Sequence, residues 1–181
     1  MRYLLIGWLV FFSMGCSVNS RQPALHDFGL VGSTAAQQDK KASVNVNAPT
    51  WLWDNRIRYR LLYSSPSQVR FYGLDRWIAS PPELFEQLLA FNSNLPDYAF
   101  VIRLQDFEQQ FDAPDRARVV LRFSVEAYSG NNHKIATQEL YLQQSTKTPD
   151  ASGAINGFTD LARQANERVY DWAAKLSDRQ Q

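Results

Sequence analysis

The sequence predicts an α+β fold, a two-layer sandwich in which a mostly antiparallel sheet carries two helices packed on one face, in the order β-β-β-α-β-β-β-α. Three observations point to it. Several segments alternate apolar and polar residues with the period of two that a half-buried strand requires. Two others carry apolar residues at spacings of three and four, the stripe of an amphipathic helix. Strands with one apolar face, interleaved with such helices, bury both most simply as helices on one side of a sheet.

Val44, Val46 and Ala48 alternate with Ser43, Asn45 and Asn47 and read as a first strand, ended by Pro49. Ile57, Tyr59, Leu61 and Tyr63 alternate with Arg58, Arg60 and Leu62 as a second. "SSPS" (Ser64 to Ser67) is a turn, and Val69 and Phe71 against Arg70 and Tyr72 make a third, short strand. "SPPELFEQLLAFNSNL" is the clearest helix: Ser80 is the expected N-cap, Pro81 opens the first turn and Glu83 completes a capping box. Asn92, Asn94 and Pro96 should stop it. Phe100, Ile102 and Leu104 point inward from the next strand, and Val119, Leu121, Phe123, Val125 and Ala127 give the longest alternation. "SGNNH" (Ser129 to His133) is a hairpin turn rich in residues that tolerate positive φ, and Ile135 to Gln144 returns as a strand. From about Ala151, the residues Ile155, Phe158, Ala162, Ala165, Val169, Trp172 and Leu176 form one continuous stripe along a terminal helix.

Composition bounds the function. The 181 residues suit a single domain, and 45% of them are apolar. The formal charge is +1, from 19 basic and 18 acidic residues, which argues against nucleic acid as a partner. One cysteine excludes an internal disulfide and a cysteine-based zinc cage.

That cysteine, Cys16, closes the most apolar run in the chain. Met1-Arg2-Tyr3 is a short positive start, Leu4 to Phe12 carries no charge, and Ser13-Met14-Gly15 supplies small or flexible residues before Cys16. The run is shorter than the about 20 apolar residues a spanning helix needs. Gly15-Cys16 resembles a bacterial lipobox. The resemblance implies a signal peptide over residues 1–15, cleavage before Cys16, and N-acyl and S-diacylglycerol groups (palmitate among them) on Cys16. An ordinary signal peptide with an incidental cysteine is the alternative. Ser17, where enteric-type bacteria place Asp to retain a lipoprotein at the inner membrane, suggests the outer membrane, periplasmic face. Residues 16–41 are expected to be a lipidated flexible tether, being polar and without sustained periodicity, and residues 42–181 a single α+β domain.

Little in the sequence suggests chemistry. His26 and His133 have no ligand partner at helical spacing and read as solvated loop residues. "DFG" at Asp27 to Gly29 lacks the other kinase motifs, and no G-x-S-x-G elbow or phosphate loop occurs. Asp106 and Glu108 read as solvated charges at a surface strand end. No catalytic residue, metal ligand or cofactor is therefore assigned. Arg56, Arg58 and Arg60 share a strand face near Trp51 and Trp53. They are taken as the solvated side of a half-buried strand, with an anionic headgroup or partner patch as the alternative.

Several segments together resemble the auxiliary lipoproteins of ABC-type transport systems, the paraquat-inducible PqiC type. They are Cys16 in its lipobox, "HDFGL", "VNVNAPTWLWDNRIRYR", "VRFYGLDRWIASPPELFEQLL", "LQDFEQQFD", "RVVLRFSVEAY" and a terminal helix ending "VYDWAAKL". The resemblance covers nearly all of the chain after Cys16. It implies a non-enzymatic accessory component of an ABC/MCE-type system that moves lipids or hydrophobic solutes across the cell envelope. Its partners would be an MCE-domain protein and the ABC permease, with the membrane reached through Cys16 and a homo-oligomeric ring as one arrangement. A structural lipoprotein assisting assembly or plugging of an outer-membrane protein, and a lipid-anchored hydrolase, are the competing classes. The segment "YGLDRWIASPP" mixes aromatic residues and arginine as interfaces do, so Arg76 and Trp77 are the expected partner contacts.

Overall fold

The computed structural model describes residues 21–29, 43–89 and 98–178. Among the described residues seven strands form one sheet: β1 (Ala24–His26), β2 (Ser43–Asn47), β3 (Arg56–Leu61), β4 (Ser65–Trp77), β5 (Ala99–Ala113), β6 (Arg116–Tyr128) and β7 (Lys134–Ser145). Helix α1 (Pro81–Leu88) follows β4, and α2 (Ala151–Asp178) follows β7. From β2 onward this is the expected β-β-β-α-β-β-β-α order. Spatially the strands run β1-β4-β3-β5-β6-β7, with β2 also on β5. The long ladders, β5–β6 and β6–β7, are antiparallel, as is β3–β4. The short β1–β4, β2–β5 and β3–β5 pairings are parallel.

β2 and β3 lie one after the other along the same edge of β5, beside residues 99–103 and 109–111. Pro49 has no N–H to give a ladder, and the chain breaks there into a 3₁₀ turn (Thr50–Leu52) before β3 resumes. Leu52 fills the break from the core side, while Trp51 and Trp53 are exposed.

Both helices cover one face. On α1, Glu83 accepts the Ser80 N–H at 2.8 Å, as a capping box requires. On α2, the Asp150 carboxylate accepts the Gly153 N–H at 2.8 Å. Between helices and sheet lies an aromatic core in which Phe107 stacks on Phe158 at 3.9 Å and Phe28 packs edge-on against Trp77 and Phe85. Gly157 brings α2 close to the sheet, since a Cβ there would stand 2.7 Å from Val119 Cγ2.

Two expectations need correction. The strand after the "SSPS" turn is not short: β4 has 13 residues and starts inside that turn. Residues 72–75 lie opposite Ile57 alone, a wide bulge that hides the alternation. The segment expected to be a tether over 16–41 contributes β1 to the sheet edge and Phe28 to the core, and its residues 16–20 and 30–41 lie outside the described residues. Cys16 and Ser17 themselves lie outside the described residues.

Candidate functional site

With one face covered by helices, the other face of the sheet presents its side chains outward. Strand alternation decides which they are, and a shift in β5 complicates it. Phe100, Ile102 and Leu104 face the core, the register slips at Gln105, and Phe107, Gln109 and Phe111 take over. Asp106 and Glu108 are thereby turned to the open face beside β3 and β6.

Over β5 and β6 the open face is a lattice of ion pairs. Glu108 accepts both Arg60 Nε at 3.0 Å and Arg60 Nη2 at 3.1 Å, a bidentate pair, and also Gln110 Nε2 at 3.0 Å. Arg122 meets Asp106 at 2.6 Å, and Arg118 pairs with Asp112. Glu126 collects Tyr128 Oη at 2.8 Å, Lys134 Nζ at 3.1 Å and Arg103 Nη2 at 3.4 Å. The Tyr128 and Lys134 hydrogen bonds hold its carboxyl below the usual range. Glu108 is thus a buried, paired carboxylate and not the solvated strand-end charge expected from sequence.

The β3–β4 end differs. Arg56 folds over the Phe71 ring at 3.7 Å and donates to Asp54 at 2.7 Å, which holds the Asp54 carboxyl below its ordinary value. Arg58 donates to the Trp51 carbonyl at 3.2 Å and meets no carboxylate among the described residues. Burial pushes its guanidinium down from the ordinary value, opposed in part by Glu108. Arg76 stands opposite Arg56 across the ladder. The Nε atoms of Arg58 and Arg76 are buried without a hydrogen-bond partner among the described residues. Arg118 Nε is also unpaired, but Asp112 and Gln110 take its two outer nitrogens.

The expected partner contacts separate. Arg76 is half-buried on the open face, whereas Trp77 is 1% exposed and packs on Phe28, Phe107 and Phe158. Alternation turns neighbours to opposite faces, so Trp77 is a core anchor and is withdrawn from any contact surface. His26 is no loop residue: it lies in β1 and pairs with Asp75 at 2.9 Å. His133 is exposed in the hairpin turn. The neighbourhood of Arg76 and Arg56 escaped the sequence because their pairing is set by the β4 bulge. The local signal that was available, Arg56, Arg58 and Arg60 with Trp51 and Trp53, marks the right strand.

Among the described residues no group of three or more His, Cys, Asp or Glu side chains could hold a metal ion, and no helix is long and apolar enough to cross a membrane.

The same fold occurs in protein XCC0632 of Xanthomonas campestris, described under the family DUF330. The two agree with a TM-score of 0.67 at 14% identity, over 88% of this chain and 96% of that one. A second solved structure, described only as an uncharacterized protein, agrees with a TM-score of 0.57 at 11% identity, over 82% of this chain and 99% of that one. At such identities the likeness is one of fold. No family model matches the chain, and no curated protein matches it.

Proposed function

We propose that the chain is an accessory lipoprotein of an ABC/MCE-type transport system, anchored through Cys16 at the periplasmic face of the outer membrane and docking the MCE-domain partner. The observation that carries this reading is where the family-like segments fall. "HDFGL" supplies His26 at the end of β1 and Phe28 in the core, "VNVNAPTWLWDNRIRYR" supplies most of β2, the 3₁₀ turn and most of β3, and "VRFYGLDRWIASPPELFEQLL" runs from β4 through α1. The resemblance thus follows the strands, turn and helix of one continuous assembly rather than scattered loops. A fold shared with nearly the whole of a DUF330 protein supports it at the level of architecture.

In-cell crosslinking followed by capture and mass spectrometry tests the proposal. An MCE-domain protein and an ABC permease are expected among the captured proteins. Capture of a β-barrel protein in their place would favour the assembly role. Cys16→Ala should abolish fatty-acid labelling, and unchanged palmitate incorporation in that variant would remove the anchor. Ser17→Asp should move the protein toward the inner-membrane fraction.

A further inference from the structure

One stretch of the open face carries more positive charge than the described residues answer. Leu25 stands opposite Arg76 across the β1–β4 ladder, and Arg76 opposite Arg56 across β4–β3. Arg58 follows Arg56 on the same face of β3. Three guanidinium groups share this stretch, and among the described residues the carboxylate bonded to one of them is Asp54, which Arg56 holds, while Glu108, whose charge reaches Arg58, is held by Arg60. Native proteins leave few buried N–H groups without acceptors, yet Arg58 and Arg76 each keep one here. The rim is apolar. Leu25 and Ile78 are each 60% exposed, and Trp51, whose carbonyl steadies Arg58, is 61% exposed.

Arginines ringed by Trp and aliphatic side chains would suit an acidic protein segment or the headgroup layer of a bilayer. Chain length decides between them. Leu25 lies nine residues beyond Cys16 (25 − 16). A fully extended stretch of that length reaches at most about 30 Å. Of the described strands, β1, which borders the patch, is therefore the one nearest to Cys16 along the chain.

We infer that this face of β1, β4 and β3 rests on the membrane in which Cys16 is anchored, with Arg58 and Arg76 binding the phosphates of anionic phospholipid headgroups and Trp51, Leu25 and Ile78 entering the headgroup layer. The inference rests on the lipidation of Cys16 proposed above. It gives the domain a fixed orientation and leaves the helical side free for protein partners.

The full processed chain, carrying its own acyl groups, is reconstituted into nanodiscs of phosphatidylcholine alone or of equimolar phosphatidylcholine and phosphatidylglycerol. The lipids are brominated near the glycerol end of their acyl chains, and tryptophan emission is read. Quenching is expected in the phosphatidylglycerol discs, much less in phosphatidylcholine, and it should disappear from the Trp51→Phe/Trp53→Phe variant. Arg58→Gln/Arg76→Gln should shift the docked equilibrium on the order of thirty-fold, the weight of two arginines at an anionic surface, with disc association unchanged. Leu25→Ser, at an exposed position, should weaken docking in the same direction, and it serves as the test if the arginine variant does not fold. A chain that fails to co-elute with discs removes the anchor. A chain that co-elutes, yet whose emission is the same in both kinds of disc, overturns the membrane-facing patch and assigns it to a protein partner.

Discussion

The two ends of the open sheet face handle arginine differently. Across β5 and β6, Arg60, Arg118, Arg122 and Arg103 each meet a carboxylate within the chain. At the β1–β4–β3 end, Arg58 and Arg76 meet none among the described residues, and exposed apolar side chains surround them. The first, closed end pairs its arginines within the chain, and the second, open end leaves Arg58 and Arg76 without a carboxylate among the described residues. A nearly neutral chain can thus carry a local cationic surface, because the carboxylates that balance the total stand elsewhere. Net charge argued against a nucleic-acid binder and was silent about this patch.

Substitutions at the two ends should have unequal effects. The largest effect should come from the floor beneath the open end. Trp77→Ala empties a fully buried site and should cost about 3–5 kcal/mol in a urea melt. A loss below about 1 kcal/mol would mean that Trp77 is not the anchor on which Arg76 is mounted. At the closed end, Glu108→Gln strips Arg60 of its charged partner in a buried setting and should cost about 2–3 kcal/mol. At the open end, Arg58→Gln should change stability by about 1 kcal/mol or less, since its buried Nε has no acceptor among the described residues and its bond to the Trp51 carbonyl is exposed. Equal costs at Glu108 and Arg58 would erase the distinction between the two ends. Gly157→Ala tests the covered face: a methyl pressed against Val119 should cost about 1–3 kcal/mol with the open face untouched.

The smallest effect is expected with acid. Hydrogen bonds from Tyr128 and Lys134 to Glu126, and from Arg56 to Asp54, hold both carboxyls below their unfolded values. Their stabilisation is complete above the unfolded pKa, about 4, and is lost as pH falls through the lower folded values. Melting temperature should therefore be flat near neutrality and fall in strongly acid solution. Glu126→Gln should flatten that acid limb, and an unaltered limb would show that the Glu126 cluster contributes nothing to it.

The regular parts of the fold were legible because local periodicity and burial coincide in them. Val119 to Ala127, the Ser80–Glu83 helix start and the α2 stripe are all of this kind. What escaped is set by contacts distant in sequence. β1 is three residues long and has no pattern until it pairs with β4. The β4 bulge and the β5 slip at Gln105 reverse the alternation, hiding the length of β4 and the burial of Glu108. Trp77 was expected outside because a Trp beside an Arg at a strand-to-helix junction has the composition of an interface. Only the face parity of β4 separates the two residues. The neutral, half-buried Trp172, which touches Phe100 edge-on, lies between these cases.

The central claim is that the open end is the membrane-facing side of the domain and the closed end is not. A photoreactive phenylalanine analogue placed in cells at Trp51, and separately at Tyr141 across from Arg122, reads it directly, since both positions are exposed. The account predicts a lipid adduct at position 51 and none at position 141. A protein adduct in place of lipid at position 51, or lipid adducts in equal yield at both, would contradict it.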